Sequence, residues 1–281
     1  MADLENQTVL ITGCSTGIGL ALAREFHKKG HQTFATARRP ESLDQLKAEG
    51  IPTEQLDVTD PTSIERAVSS VIEKAGRLDI LVNNAGFNIF GPVAEVPVDD
   101  FRKLFETNLL GTLAVSQVVI PKMVDQGSGR IVNIGSIAGV VVSPFVGPYG
   151  ASKAAVHVLS DVLRVEVAPF GIQVICVQPG AVRSSIADTG SQDLDRFQSS
   201  KSLYHKVYDQ IKRRAGSSQE NPMESEDFAE QLVSAITQEK APIIVRLGGG
   251  VETYAKLADL PKADFDNMMS DYYTLDLLRK K

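Results

Sequence analysis

The stretch from Thr8 to Phe26 constrains this chain most. A β-branched run, Thr8-Val9-Leu10-Ile11-Thr12, leads into Gly13, Gly17 and Gly19, after which Ile18, Leu22 and Phe26 repeat every four residues. Such a run suits a buried strand, and a four-residue apolar repeat marks one helix face, so the segment reads as strand, glycine turn and helix. Short apolar runs recur at Thr33 to Ala37, Ile80 to Asn83, Arg130 to Gly135, Ile172 to Gln178 and Pro242 to Arg246, and another strand is placed just before Asp57. Between them lie longer amphipathic stretches: Pro61 sits in the first turn of a helix running towards Lys74, and Asp99 to Val124 forms a long helix. This alternation predicts an α/β fold, a doubly wound parallel sheet in three layers with helices on both faces.

The 281 residues are read as a single domain, 1–281, since no repeat or Pro-, Gly- or Ser-rich linker divides them. A net charge of -6 and a pI near 5.3 argue against a nucleic-acid surface, which needs a concentrated cationic face. The N-terminus lacks a signal pattern and no run of about 18 apolar residues occurs, so a soluble cytoplasmic protein without a transmembrane segment is expected. Cys14 and Cys176 read as reduced, buried thiols; with four scattered histidines they offer no metal-site spacing. Residues 187–226 read as a small, partly helical lid and 248–281 as a C-terminal cap.

The glycine loop brings backbone N–H groups and the positive end of a helix dipole to one point, where a pyrophosphate can sit. Gly13 permits the tight turn, Gly17 lets backbone approach a ligand, and Gly19 allows helix and sheet to pack closely; Ser15, Thr16 and Ile18 complete the loop. The loop, spaced T-G-x-x-x-G-x-G, reads as a Rossmann-type dinucleotide site, the plainer reading being a glycine-rich turn with no ligand. At the end of the second strand an acid would accept from the adenosine ribose, yet the chain reads Thr36-Ala37-Arg38-Arg39, whose guanidinium forks suit a 2′-phosphate. NADP(H) is therefore expected over NAD(H), although the two arginines could also form only a solvated turn before Pro40. Asp57, followed by Val58, can accept from an adenine amino group or cap the next helix, for which Asp60 is better placed. Asn84, Ala85 and Gly86 end the fourth strand, where small residues let a cofactor lie against backbone.

Tyr149 and Lys153 stand four residues apart, hence on one helix face, and thirteen residues after Ser136. A phenol titrates near pH 10, and a unit charge about 4 Å away is worth about 4 kcal/mol at an effective dielectric of about 20, enough to lower that value by up to roughly three units. Lys153, helped by an oxidised nicotinamide ring, would make Tyr149 a usable acid and base while Ser136 holds the substrate oxygen. Each residue also has a plainer reading: Tyr149 beginning a helix, Lys153 on the surface, Ser136 capping a loop, Asn108 bonding backbone.

Taken together, the glycine loop, Asn83-Asn84-Ala85-Gly86, Ser136, Tyr149-x-x-x-Lys153 and Pro179-Gly180 resemble the short-chain dehydrogenase/reductase family over roughly residues 6 to 246. The resemblance implies that Asn108 is a fourth catalytic residue, kinking its helix and holding a water that links Lys153 to solvent. It also implies that Lys153 bonds the nicotinamide ribose and that Pro179, Gly180, Val182 and Ser184 orient the carboxamide. By the same resemblance, helices near 99–125 and 149–169 would pair in a homodimer or homotetramer.

The loop from Ile137 to Val146, with Phe87 and Phe90, would give the substrate site an apolar wall suited to a hydrophobic ketone, aldehyde or alcohol, or simply pack beneath the lid. Relatives acting on hydroxysteroids, retinoids or acyl-dihydroxyacetone phosphate are the nearest in pattern, and Arg183, Arg213 and Arg214 leave phosphate recognition open. The leading expectation is an NADP(H)-dependent reductase. The alternatives are a nicotinamide-binding redox sensor without chemistry, which would not need Ser136, Tyr149 and Lys153, and an NAD-dependent alcohol dehydrogenase.

Overall fold

The computed structural model describes residues 6–141, 143–184 and 194–279. Seven parallel strands form one sheet in the order β3-β2-β1-β4-β5-β6-β7: β1 Thr8–Ile11, β2 Gln32–Ala37, β3 Thr53–Gln55, β4 Ile80–Asn83, β5 Gly129–Ile134, β6 Ile172–Val177 and β7 Ile244–Val245. Chain order reverses between β1 and β4, which opens a crevice at the carboxyl ends of those two strands. The edges depart from the expected runs. β3 carries Thr-Glu-Gln and has no apolar signature of its own, and β7 is only two residues of the five expected, because an edge strand buries little.

Strand residues divide by face. Val9, Ile11, Ile80, Val82, Val132, Ile134, Ile175 and Val177 pack against α1 (Gly17–Lys28) and α8 (Ser225–Ile236), whose Leu22, Phe26, Phe228 and Leu232 are fully buried. Leu10, Leu81, Ile131 and Val174 point to the other face, towards α3 (Pro61–Ala75), α5 (Gly111–Gln126) and α6 (Gly147–Val167). Apolar side chains on both faces of each central strand explain why these runs read as continuous and not alternating. The start of α3 follows the expected chemistry: Asp60 caps it by accepting from the Thr62 N–H, and Pro61 occupies its first turn.

The expected long helix is α4 (Val98–Phe105), a π-helical turn at Glu106–Leu110 and α5, running continuously from Val98 to Gln126. By length and composition it could cross a membrane, but Val115, Val119 and Met123 are fully buried against the sheet. α2 (Asp44–Ala48) is a short turn beside β2.

Of the expected lid, residues 187–193 lie outside the described residues. The remainder holds short 3₁₀ turns at Leu194–Phe197 and His205–Val207 and then α7 (Tyr208–Gly216), whereas Ser225 already begins α8, a core helix. The C-terminal segment folds into α9 (Val251–Leu257), α10 (Lys262–Tyr272) and a turn at Leu275–Leu278. It joins α7 in a third apolar cluster of Phe90, Phe145, Val207, Ile211 and Tyr273, with Tyr149 packed against it.

Candidate active site

The glycine loop is tied down before any ligand is considered. Thr12 Oγ1 accepts from the N–H groups of Asn84 and Ala85, both at 3.0 Å, and the Asn84 amide donates to the carbonyls of Thr12 and Gly13 at 2.9 and 3.0 Å. The Cys14 N–H donates to the Thr36 carbonyl at 2.8 Å, so the loop is anchored to the ends of both β2 and β4. Gly13 has φ +75°, and a Cβ there would lie 2.8 Å from Ala85 Cα. Gly17 has φ +56°, and a Cβ there would lie 2.8 Å from Ser184 Cβ, so the segment after Pro179-Gly180 runs against the loop. A Cβ on Gly19 would strike the Gly13 carbonyl. Thr16 is the N-cap residue of α1, so the helix begins directly after the glycine loop, at the carboxyl end of β1.

These features fit a dinucleotide: a loop too tight for side chains, a helix N-terminus directly after it and a topological switch point. Ser15 and Thr16 are exposed at the loop and Ile18 is partly buried behind it. Arg38 and Arg39 are exposed at the end of β2, and neither guanidinium meets a carboxylate among the described residues. Asp57 accepts from the Thr59 N–H and hydroxyl at 3.0 and 2.8 Å and does not cap α3, a task that falls to Asp60. Val58 is a core residue packed against Gly111, and Val182 is buried, with its carbonyl accepting from Gln219.

At the ends of β4 and β5 the candidate catalytic side chains come together. Asn108 lies within the π-helical turn; its Oδ1 accepts from the Phe87 N–H, while Nδ2 donates to the Phe87 carbonyl and to Ser152 Oγ, each at 3.0 Å. Its amide thus imitates a backbone partner for the chain after Gly86. Ser136 follows β5, is 8% exposed, and accepts from the Ala138 N–H at 3.1 Å, so the plainer capping role is real as well. Tyr149 stands in the first turn of α6. One turn on, Lys153 Nζ lies 5.6 Å from the Tyr149 ring centroid and donates to the Ile134 carbonyl at 2.7 Å. A Cβ on Gly86 would come within 3.0 Å of Asn108 Oδ1 and 3.6 Å of Lys153 Nζ. The expectation that Lys153 is on the surface fails: it is 4% exposed.

Electrostatics correct one expectation. Burial raises the Tyr149 phenol above its ordinary value, while the Ser136 hydroxyl and the Arg214 charge pull it part of the way back. Burial also lowers Lys153 to about 8. Desolvation is the largest influence on both groups and acts on each against its charged form, so burial decides the direction of the Tyr149 shift.

Sequence reasoning missed two neighbours of the site. His157 lies four residues beyond Lys153, and its Nε2 accepts from the Ser136 N–H at 3.3 Å; helical spacing alone could have found it. Tyr273, from the C-terminal turn, meets Ser143 Oγ at 3.1 Å and the Phe145 ring edge-on with centroids 5.5 Å apart. No local pattern announced that long-range contact.

Sheet order, switch-point crevice and this cluster define an enzyme-like α/β site, and comparison with known proteins specifies it further. The family model of the short chain dehydrogenases matches residues 7–195. The chain is similar to the short-chain dehydrogenase ptmH of Penicillium ochrochloron, 39% identical over 248 residues that cover 86% of this chain and 89% of that protein. Its fold is similar to a short-chain dehydrogenase from Streptomyces avermitilis, with a TM-score of 0.77, 29% identity and 98% and 97% of the two chains covered. It is also similar to the closed form of a serine dehydrogenase complexed with NADP+, with a TM-score of 0.74, 28% identity and 86% and 94% covered. The chain belongs to the short-chain dehydrogenase/reductase family of oxidoreductases.

Proposed function

We propose that the protein is an NADP(H)-dependent reductase of apolar ketones or aldehydes, with the whole chain acting as one cytoplasmic catalytic domain. The observation that carries this reading is the convergence of Ser136, Tyr149 and Lys153 beside Gly86 at the mouth of the crevice. Bound NADPH would supply the hydride to the carbonyl carbon. Ser136 Oγ holds the carbonyl oxygen, and Tyr149 gives that oxygen its proton as negative charge develops there. A neutral phenol is the form required of an acid, and burial keeps Tyr149 in it. Lys153 has two N–H donors beyond the one used on Ile134, available to the nicotinamide ribose and to a proton relay through the Asn108 turn.

Arg38 and Arg39, without acidic partners among the described residues, support the preference for a 2′-phosphate, as does the NADP+ held by the similar serine dehydrogenase. The cluster of Phe90, Phe145, Val207 and Tyr273 around Tyr149 supports an apolar substrate. A homodimer or homotetramer is supported by Val158, Val162 and Val165, 65%, 50% and 66% exposed along one side of α6. Cys14 and Cys176, both buried and free, suit a reducing compartment.

The test is NADPH consumption, followed at its absorbance band, against a panel of hydrophobic ketones and aldehydes. Turnover of at least one compound is expected. Tight NADPH binding with no turnover of any compound would instead favour a redox sensor.

A further inference from the structure

Three arginines lie near the lid, and the structure separates them. Arg183 pairs with Glu224 at 2.8 Å. Arg213 stacks 4.5 Å from the Tyr272 ring centroid and donates to the Tyr272 carbonyl at 2.9 Å. Arg214, from α7, turns towards the reaction site. Its Nε donates to Ser143 Oγ at 3.0 Å, on the loop that follows Ser136, and its Nη1 donates to Ser217 Oγ at 3.1 Å. Its Cζ lies 5.7 Å from the centroid of Phe90, a member of the apolar cluster against which Tyr149 packs.

Among the described residues no carboxylate pairs with Arg214, although the chain holds 35 acidic groups against 29 Lys and Arg. Among the described residues, two of its five N–H donors are used, and both go to neutral hydroxyls. The guanidinium is half-buried beside Phe90, at the edge of the cluster that holds Phe145 and Tyr273. A planar fork with open donors is matched by an oxyanion.

We propose that Arg214 is the anchor of an anion subsite, and that the substrate joins its reacting carbonyl and apolar body to a carboxylate or phosphate. The proposal rests on the assignment of the Tyr149 cleft as the reaction site. Arg214 bonds the loop that follows Ser136 and lies beside Phe90 of the cluster against which Tyr149 packs, and its charge offsets part of the burial-driven rise of the Tyr149 and Tyr273 phenols. The anionic group lies by Arg214 and Ser143, on the Tyr273 side of the cleft, and Arg214 is a specificity-determining residue for this substrate class. Bound there, the oxyanion also orients the carbonyl towards Ser136 and Tyr149.

Isothermal titration calorimetry with two matched pairs tests this, on the cofactor-free protein and on the NADPH-loaded protein. Acetoacetate is set against methyl acetoacetate, and dihydroxyacetone phosphate against dihydroxyacetone; the pair with the larger gap tells carboxylate from phosphate. The charged member should bind about 10- to 100-fold tighter, the range expected for charge-assisted hydrogen bonds. Arg214→Gln should remove that gap while leaving the neutral ligand and NADPH affinities unchanged. Arg214→Lys, which keeps the charge but loses the fork, should retain part of the gap and decides the matter if the glutamine variant does not fold. Equal binding of charged and neutral members, no binding by either, or an unchanged gap in the variants overturns the proposal. Failure to bind NADPH with the gap intact would overturn the redox reading and leave the anion subsite standing.

Discussion

The backbone N–H of Ser136 donates to Nε2 of His157 across 3.3 Å, which ties the loop bearing Ser136 to the helix that also carries Tyr149 and Lys153. The bond requires a neutral imidazole with its proton on Nδ1. Burial, together with the charges of Lys153 and Arg246 and against that of Asp161, pushes His157 down to about 4. A Cβ on Gly139 would lie 2.7 Å from the ring, so the imidazole fills its niche closely.

Acid should therefore act on this bond. The folded value of about 4 lies below the unfolded 6.5, so the stability contributed is whole above pH 6.5 and is lost as pH falls towards 4. The full shift corresponds to about 3 kcal/mol as an upper bound, reduced by partial solvent access to the ring. Urea unfolding across that window should show a falling midpoint in the wild type and a shallower fall in His157→Gln, which keeps an acceptor that does not titrate. Equal slopes would contradict the assignment.

Lys153 should show function set against stability. Its folded value of about 8 lies below the ordinary 10.5, so stability is highest above 10.5 and lost as pH falls through 8; at neutral pH the buried ammonium is a cost. Lys153→Met should raise unfolding free energy near pH 7 by roughly 1–2 kcal/mol, the bond to Ile134 offsetting part of the gain. The same variant should lose turnover. A destabilised variant would mean that the amine is held by more than one carbonyl.

Asn108 is almost wholly buried and satisfies both the N–H and the carbonyl of Phe87. Asn108→Ala leaves those groups unpaired and should cost roughly 1–3 kcal/mol. Hydrogen exchange at the Phe87 amide should rise with it. Unchanged protection there would show that another group takes over.

Arg38→Ala should narrow the ratio of kcat/KM for NADPH over NADH by about tenfold, one lost charge-assisted hydrogen bond. An unchanged ratio would move the 2′-phosphate to Arg39 or remove it altogether.

Much of this was legible in the chain because its central strands are apolar on both faces and its site motifs are local. Asn83 to Gly86 and Tyr149 to Lys153 each fall at a single strand end or helix turn, and Thr8 to Gly19 is one continuous strand, loop and helix start. The edges were less legible: β3 has no apolar pattern because little covers it, and β7 is short for the same reason. Contacts between distant segments were not legible at all. Tyr273 reaches Ser143 across 130 positions, and nothing in Asp271-Tyr272-Tyr273 signals that destination. The direction of the Tyr149 shift was misjudged because spacing gives a shared helix face but not the burial of both groups.

Tyr149→Phe gives the most direct measurement of the central claim, since it removes one oxygen and leaves the ring packed in its cluster. NADPH oxidation with a ketone turned over by the wild type should fall by at least about a thousandfold, in the upper part of the range for loss of a positioned acid. NADPH binding, followed by its fluorescence, should stay within about twofold of wild type, since one neutral hydrogen bond is worth little. Substantial residual turnover with intact binding would contradict Tyr149 as the proton donor.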